Sequence, residues 1–141
     1  MRIPLAESTM YHAPDNVPEE SLILMADIFP TGFNTVRQGL NLLSEPERAN
    51  ASVVILGCGP VGLCAITCAT HLFGKGRIIA VDSVPERLAE AKKHGATDLV
   101  HLTEEDVAAR VKELTAGKGA DVVCEGELPL LQPLFSLATD D

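Results

Sequence analysis

Gly57, Gly59 and Gly62 stand at the spacing Gly-x-Gly-x-x-Gly in the string Gly57-Cys58-Gly59-Pro60-Val61-Gly62. Such a turn suits one task above others, the cradling of a phosphate. Gly57 permits a tight turn, Gly59 lets a pyrophosphate approach the backbone, and Gly62 lets the following helix pack close to the preceding strand. The free N–H groups and the dipole at that helix's start then favour the anion. Three glycines alone say little, so the flanking residues decide. An apolar run (Ser52–Leu56) precedes them, an apolar helical stretch follows, and Asp82 ends the next apolar run twenty residues after Gly62. An acid there accepts hydrogen bonds from both hydroxyls of an adenosine ribose and repels a 2′-phosphate, which favours NAD(H) over NADP(H). Ser83 follows it directly. Arg87, one turn into the next helix, lies over the same ribose in this reading and softens that preference. A glycine-rich turn with an exposed Asp is the plainer alternative.

Other reactive side chains carry weaker signals. Cys64, Cys68 and His71 fall on one helical face at i, i+4 and i+7, a metal-ligand pattern. The same face is where such a helix packs on its sheet, and buried free Cys behaves as a small hydrophobe. No Cys-x-x-Cys pair is present to strengthen the metal reading. Cys58 sits beside helix N–H groups that are expected to lower a thiol pKa. His12, His94 and His101 have no partner at catalytic spacing, and His94 near a helix C-terminus suits a structural role. Glu104-Glu105-Asp106 after Thr103 reads as an acidic, N-capped helix start.

These groups need elements to hold them. Residues 1–17 read as a short strand or extended arm. Pro18-Glu19-Glu20 opens a helix with Leu22, Ile23, Met25 and Ala26 on an apolar face, which Pro30 stops. Thr31-Gly32 reopens a helix to about Leu43 on the spacing of Phe33, Val36, Leu40 and Leu43. Ser44–Asn50 reads as a connecting loop. Then strands (Ser52–Leu56, Arg77–Val81, Asp98–Leu102, Asp121–Cys124) alternate with helices (to about Phe73, Pro85–His94, Glu104–Thr115). Apolar strands alternating with helices mean right-handed crossovers and a parallel sheet. The fold expected is α/β, a truncated Rossmann-like doubly wound parallel sheet of about four strands in order 3-2-1-4. An N-terminal arm and two leading helices precede it.

At this point the residues carry a resemblance. The glycine string followed by VDSVPERLAEAKKHGAT resembles the coenzyme domain of zinc-dependent medium-chain alcohol dehydrogenases. LILMADIFPTGFNTVRQG resembles the helices that lead into that domain, and RIPLAESTMYHAPDNVPEE the last strand of their catalytic domain. Asp27 stands where most of the family has a zinc-binding Cys. An Asp there is similar to the formaldehyde dehydrogenase branch, where it is the third zinc ligand. The resemblance thus implies a vestigial metal position at Asp27 and NAD(H) as cofactor. The cofactor-binding set becomes Thr31, Gly57, Gly59, Pro60, Val61, Gly62, Asp82, Ser83 and Arg87. The family's first two zinc ligands, its structural zinc lobe and its fifth and sixth nucleotide-fold strands have no counterpart in these residues. A catalytic zinc needs three protein ligands. The expectation is therefore an NAD(H)-binding domain of an alcohol or formaldehyde dehydrogenase-like oxidoreductase, not competent by itself for zinc-assisted alcohol oxidation. The alternative is a truncated relative repurposed as a non-redox isomerase or cyclase, or as an interaction module.

The expected organisation is an arm and leading helices over 1–50, a nucleotide-binding core over 51–126 and a divergent Leu/Pro-rich tail over 127–141. With strands five and six missing, the fourth strand is left at an edge, so a homodimer through that edge and the tail is expected. Twenty acidic against eleven basic residues, net −9, argue against nucleic acid or an anionic membrane as partner. Only the middle third lacks an acidic excess. No signal peptide or long apolar run is evident, and four Cys suit a reducing compartment, so a cytoplasmic location is expected.

Overall fold

The computed structural model describes residues 4–8 and 10–125. The expected start of an N-terminal strand at Arg2-Ile3 and the tail from 127 lie outside the described residues, as does the tail's expected share in a dimer. Four strands form one parallel sheet in the order β3-β2-β1-β4, as the alternation predicts. They are β1 (Val53–Leu56), β2 (Ile78–Asp82), β3 (Asp98–His101) and β4 (Val122–Glu125). β1 pairs with β2 from Val53↔Ile78 to Leu56↔Val81, and with β4 from Val53↔Val122 to Leu56↔Glu125. Every residue of β1 and β2 is buried, which is why they read as apolar runs, β2 as far as its terminal Asp82.

The crossovers are α4 (Pro60–Leu72) after β1, α5 (Pro85–Lys93) after β2 and α6 (Val107–Leu114) after β3. Two cores result. One layer joins Val53, Ile55, Ile78, Ala80, Val122 and Cys124 to Ile66, Ala69 and Phe73 of the α4 side. The other joins Val54, Leu56, Ile79, Val81 and Val100 to Val107 and Val111 of α6. Helices on both faces of a parallel sheet are the doubly wound arrangement.

The leading segment differs from the sequence reading. Residues 4–8 and 10–17 hold a 3₁₀ turn (Ala6–Ser8) and no strand. α1 (Glu19–Leu22) runs into a 3₁₀ turn (Ile23–Ala26), and neither buries a residue fully: Leu22 is half-buried, and Ile23, Leu24 and Met25 are exposed. Pro30 does not separate two helices. It sits in the first turn of α2 (Ile28–Asn41), where its missing N–H costs no helical hydrogen bond. Val36 is the buried residue of the four predicted there, with Leu40 and Leu43 partly buried; Phe29 joins the core while Phe33 is exposed. The expected loop 44–50 contains α3 (Glu45–Arg48), started by a Ser44–Glu47 capping box with Pro46 in its first turn. α6 is capped by Asp106, which accepts from Ala109 N at 3.1 Å, and not by Thr103. Glu105 instead accepts from His101 N at 2.7 Å.

Candidate functional site

A cleft of about 300 Å³ opens at the carboxyl end of the sheet, between the ends of β1 and β4. Strand order reverses at that place, and open α/β folds take ligands there. Thr31, Gly57, Gly59, Pro60, Val61 and Gly62, all named from the sequence, line it together. Gly57 has φ of +88°, a conformation that L side chains rarely adopt. A Cβ on Gly62 would overlap the Gly57 carbonyl oxygen, so the helix start depends on its absence. A Cβ on Gly59 would meet nothing within 4 Å, so that face of the loop is open. Gly59 is the N-cap of α4 and Pro60 opens the helix, leaving first-turn N–H groups without helical acceptors. A cradle open at its centre and lined by donors fits a pyrophosphate.

α2 forms the opposite wall. Gly32 lets α2 cross α4 closely, since a Cβ there would stand 2.8 Å from Ala65 N and 2.9 Å from Val61 O. That crossing brings Thr31 and Thr35 to the loop. The Thr31 hydroxyl donates to Asp27 Oδ1 at 3.0 Å, and its N–H to Asp27 O at 2.9 Å.

Asp82 is 5% exposed and braces the loop from below. Its Oδ2 accepts from Cys58 N at 2.7 Å and its Oδ1 from Val84 N at 2.8 Å. The exposed Arg87 guanidinium lies 3.8 Å from Oδ2, beside the exposed Ser83. The sequence reading gave Asp82 to a ribose; the structure adds that the same carboxylate fixes the turn.

Burial holds the thiols in their protonated form. Cys58 is 1% exposed, and burial with the Asp82 charge pushes its pKa up to about 12, the reverse of the expected lowering. Burial likewise raises Cys64 and Cys68, and pushes Cys124 up to about 11. Cys68 packs in the core while His71 is exposed, so the three do not converge as ligands. Among the described residues, no three His, Cys, Asp or Glu side chains gather in a metal-ligating group. Asp27 is a lone exposed carboxylate, and these residues do not fit a three-ligand zinc centre. His94 Nδ1 hydrogen-bonds the Thr67 hydroxyl at 2.9 Å and ties α5 to α4, a structural role. Thr35, Cys124 and Glu125 also line the cleft and were missed from sequence. For Glu125 a signal existed, an acid ending an apolar strand just as Asp82 does.

Fold and cleft together define a Rossmann-like domain with a phosphate-loop geometry at its switch point. The profile of the zinc-binding dehydrogenase family matches residues 60–127. The medium chain reductase/dehydrogenase UcsI of an Acremonium species is 42% identical over 97% of this chain and 48% of its own length. The NADP-dependent isopropanol dehydrogenase of Thermoanaerobacter brockii is 39% identical over 82% of this chain and 31% of its own. The solved alcohol dehydrogenase TADH from Thermus sp. ATN1 superposes with a TM-score of 0.79 at 32% identity, over 92% of this chain and 36% of that one. The chain is similar to zinc-type medium-chain alcohol dehydrogenases and spans about a third to a half of the length of these relatives. No helix among the described residues is long and apolar enough to cross a membrane.

Proposed function

We propose that this chain binds NAD(H), with the adenosine ribose at Asp82 and Arg87 and the pyrophosphate on the Gly57–Gly62 loop. The observation that carries the reading is the open face at Gly59 over unpaired helix-start N–H groups, with a fixed acid at the end of β2. Thr31, Pro60, Val61 and Ser83 complete the contact surface. Arg87, half exposed beside Asp82, partly offsets the carboxylate's repulsion of a 2′-phosphate. One relative's name specifies NADP, so the preference for NAD(H) over NADP(H) is finite in this reading.

Bound, the dinucleotide would supply hydride chemistry; the residues described contribute binding and orientation. The role proposed for these residues is dinucleotide binding. Isothermal titration with NADH, NADPH and AMP tests the reading. NADH and AMP should bind, with NADPH weaker than NADH. No heat at millimolar NADH or AMP would overturn it.

A further inference from the structure

Glu125 ends β4 and lines the cleft, and one of its carboxyl oxygens, Oε1, is shut off from solvent with no hydrogen-bond partner among the described residues. A buried polar atom left unpaired is costly, and such atoms mark places where a partner is missing. On β4, Val122 and Cys124 bury on the α2 and α4 side, and Val123 and Glu125 take the other face. The cleft touches both Cys124 and Glu125, so it wraps over the strand's carboxyl end.

The register makes Glu125 the counterpart of Asp82. β1 lies between β2 and β4, and Leu56, the residue before the glycine loop, pairs with Val81 on one side and Glu125 on the other. An acid therefore flanks the phosphate loop on each side, one ending β2 and one ending β4. A dinucleotide laid across this switch point puts its two riboses on opposite sides of the pyrophosphate. Asp82 faces the first of these sides.

We propose that Glu125 is a binding residue for the second ribose, its carboxylate at the cleft turning to accept a hydrogen bond from a hydroxyl of the nicotinamide-side sugar. This rests on the NAD(H) reading above and assigns a group to the half of the ligand that the sequence left without one. It gives the site two acids with separate jobs. Asp82 senses the half shared with AMP, and Glu125 the half that AMP lacks.

The test compares AMP, ADP-ribose and NADH by isothermal titration on the wild-type chain, Glu125→Met and Glu125→Gln. Met keeps the side chain's length and removes the acceptor; Gln keeps a neutral acceptor. AMP affinity should be unchanged in both variants. ADP-ribose and NADH should bind about tenfold more weakly to Glu125→Met, with Glu125→Gln in between, as for a lost hydrogen bond to a charged group. Unchanged NADH binding in Glu125→Met overturns the proposal. So does an equal loss for AMP, which would mean that Glu125 acts through the fold. A loss for NADH with none for ADP-ribose would move the contact to the nicotinamide and overturn the ribose assignment. Failure of the wild-type chain to bind AMP is a different result, since it strikes the NAD(H) reading before any variant is compared.

Discussion

The carboxylate of Asp82 already accepts two backbone N–H bonds, from Cys58 and Val84, before any ligand arrives. Replacing it with Ala therefore removes a ribose acceptor and a brace for the loop at once. Asp82→Ala should weaken NADH and AMP binding alike, by about 1–3 kcal/mol, and lower folding stability by a similar amount. Titration and urea unfolding read the two effects separately, and undiminished affinity would remove Asp82 from the site. The thiols make a second prediction. Cys58 and Cys124 hold their protons in the folded chain until about 12 and about 11, against an ordinary value near 9.0. Above pH 9 the unfolded chain sheds these protons first, so the folded state binds more of them and loses stability as pH rises. The contribution is complete below pH 9 and disappears as pH climbs through 11 and 12. Urea unfolding between pH 7 and 10.5 should show this decline, and the Cys58→Ala/Cys124→Ala double variant should show a shallower one. Equal slopes would mean that other groups govern alkaline unfolding.

At the scale of elements, the glycine loop separates binding from folding. A side chain at Gly59 projects into the open cleft, so Gly59→Val should abolish dinucleotide binding while thermal unfolding stays near wild type. A methyl at Gly62 is driven into the Gly57 carbonyl, so Gly62→Ala should cost stability, about 1–3 kcal/mol as for an overpacked core position. Circular dichroism melts together with titration distinguish the two; a stable, non-binding Gly62→Ala would reverse the assignment. The loop and its strands were legible because buried parallel strands leave continuous apolar runs and the motif fixes the turn between them. The leading helices were less so. Pro30 and Pro46 look like breakers in sequence, yet both lie in first turns where proline is tolerated. Thr103 and Asp106 are both good caps by type, and only the chain's path out of β3 chose Asp106. Glu125 was legible in principle. It escaped because the acid sought for a ribose is the one after the second strand, and an acid ending the fourth carries no comparable rule.

For the whole molecule, the two edges of the sheet are unlike. β3 ends the sheet on one side and carries Asp98 and His101, with Arg77 Nη1 bridging to Asp98 Oδ2 at 2.9 Å. Charged groups of this sort discourage a further strand from pairing. β4 ends the other side with Val122, Val123 and Cys124 and no charge before Glu125. α2 packs on one face of β4, where Val122 meets Gly39, but leaves the strand's outer edge unpaired among the described residues, and Val123 is 37% exposed. An apolar edge with open N–H and C=O groups is a template for another strand. A second copy meeting it across a two-fold axis would continue the sheet through both chains. The expected outcome is a homodimer at tens of micromolar, seen by light scattering coupled to size exclusion as about twice the 15.0 kDa of one chain. With a net charge of −9 on each copy, the dimer should weaken as salt is lowered, because screening of their repulsion is lost. Val123→Lys places a charge on that edge and should yield a monomer that still binds AMP. A wild-type species of 15.0 kDa at every salt concentration would show that β4 is not a pairing edge in solution.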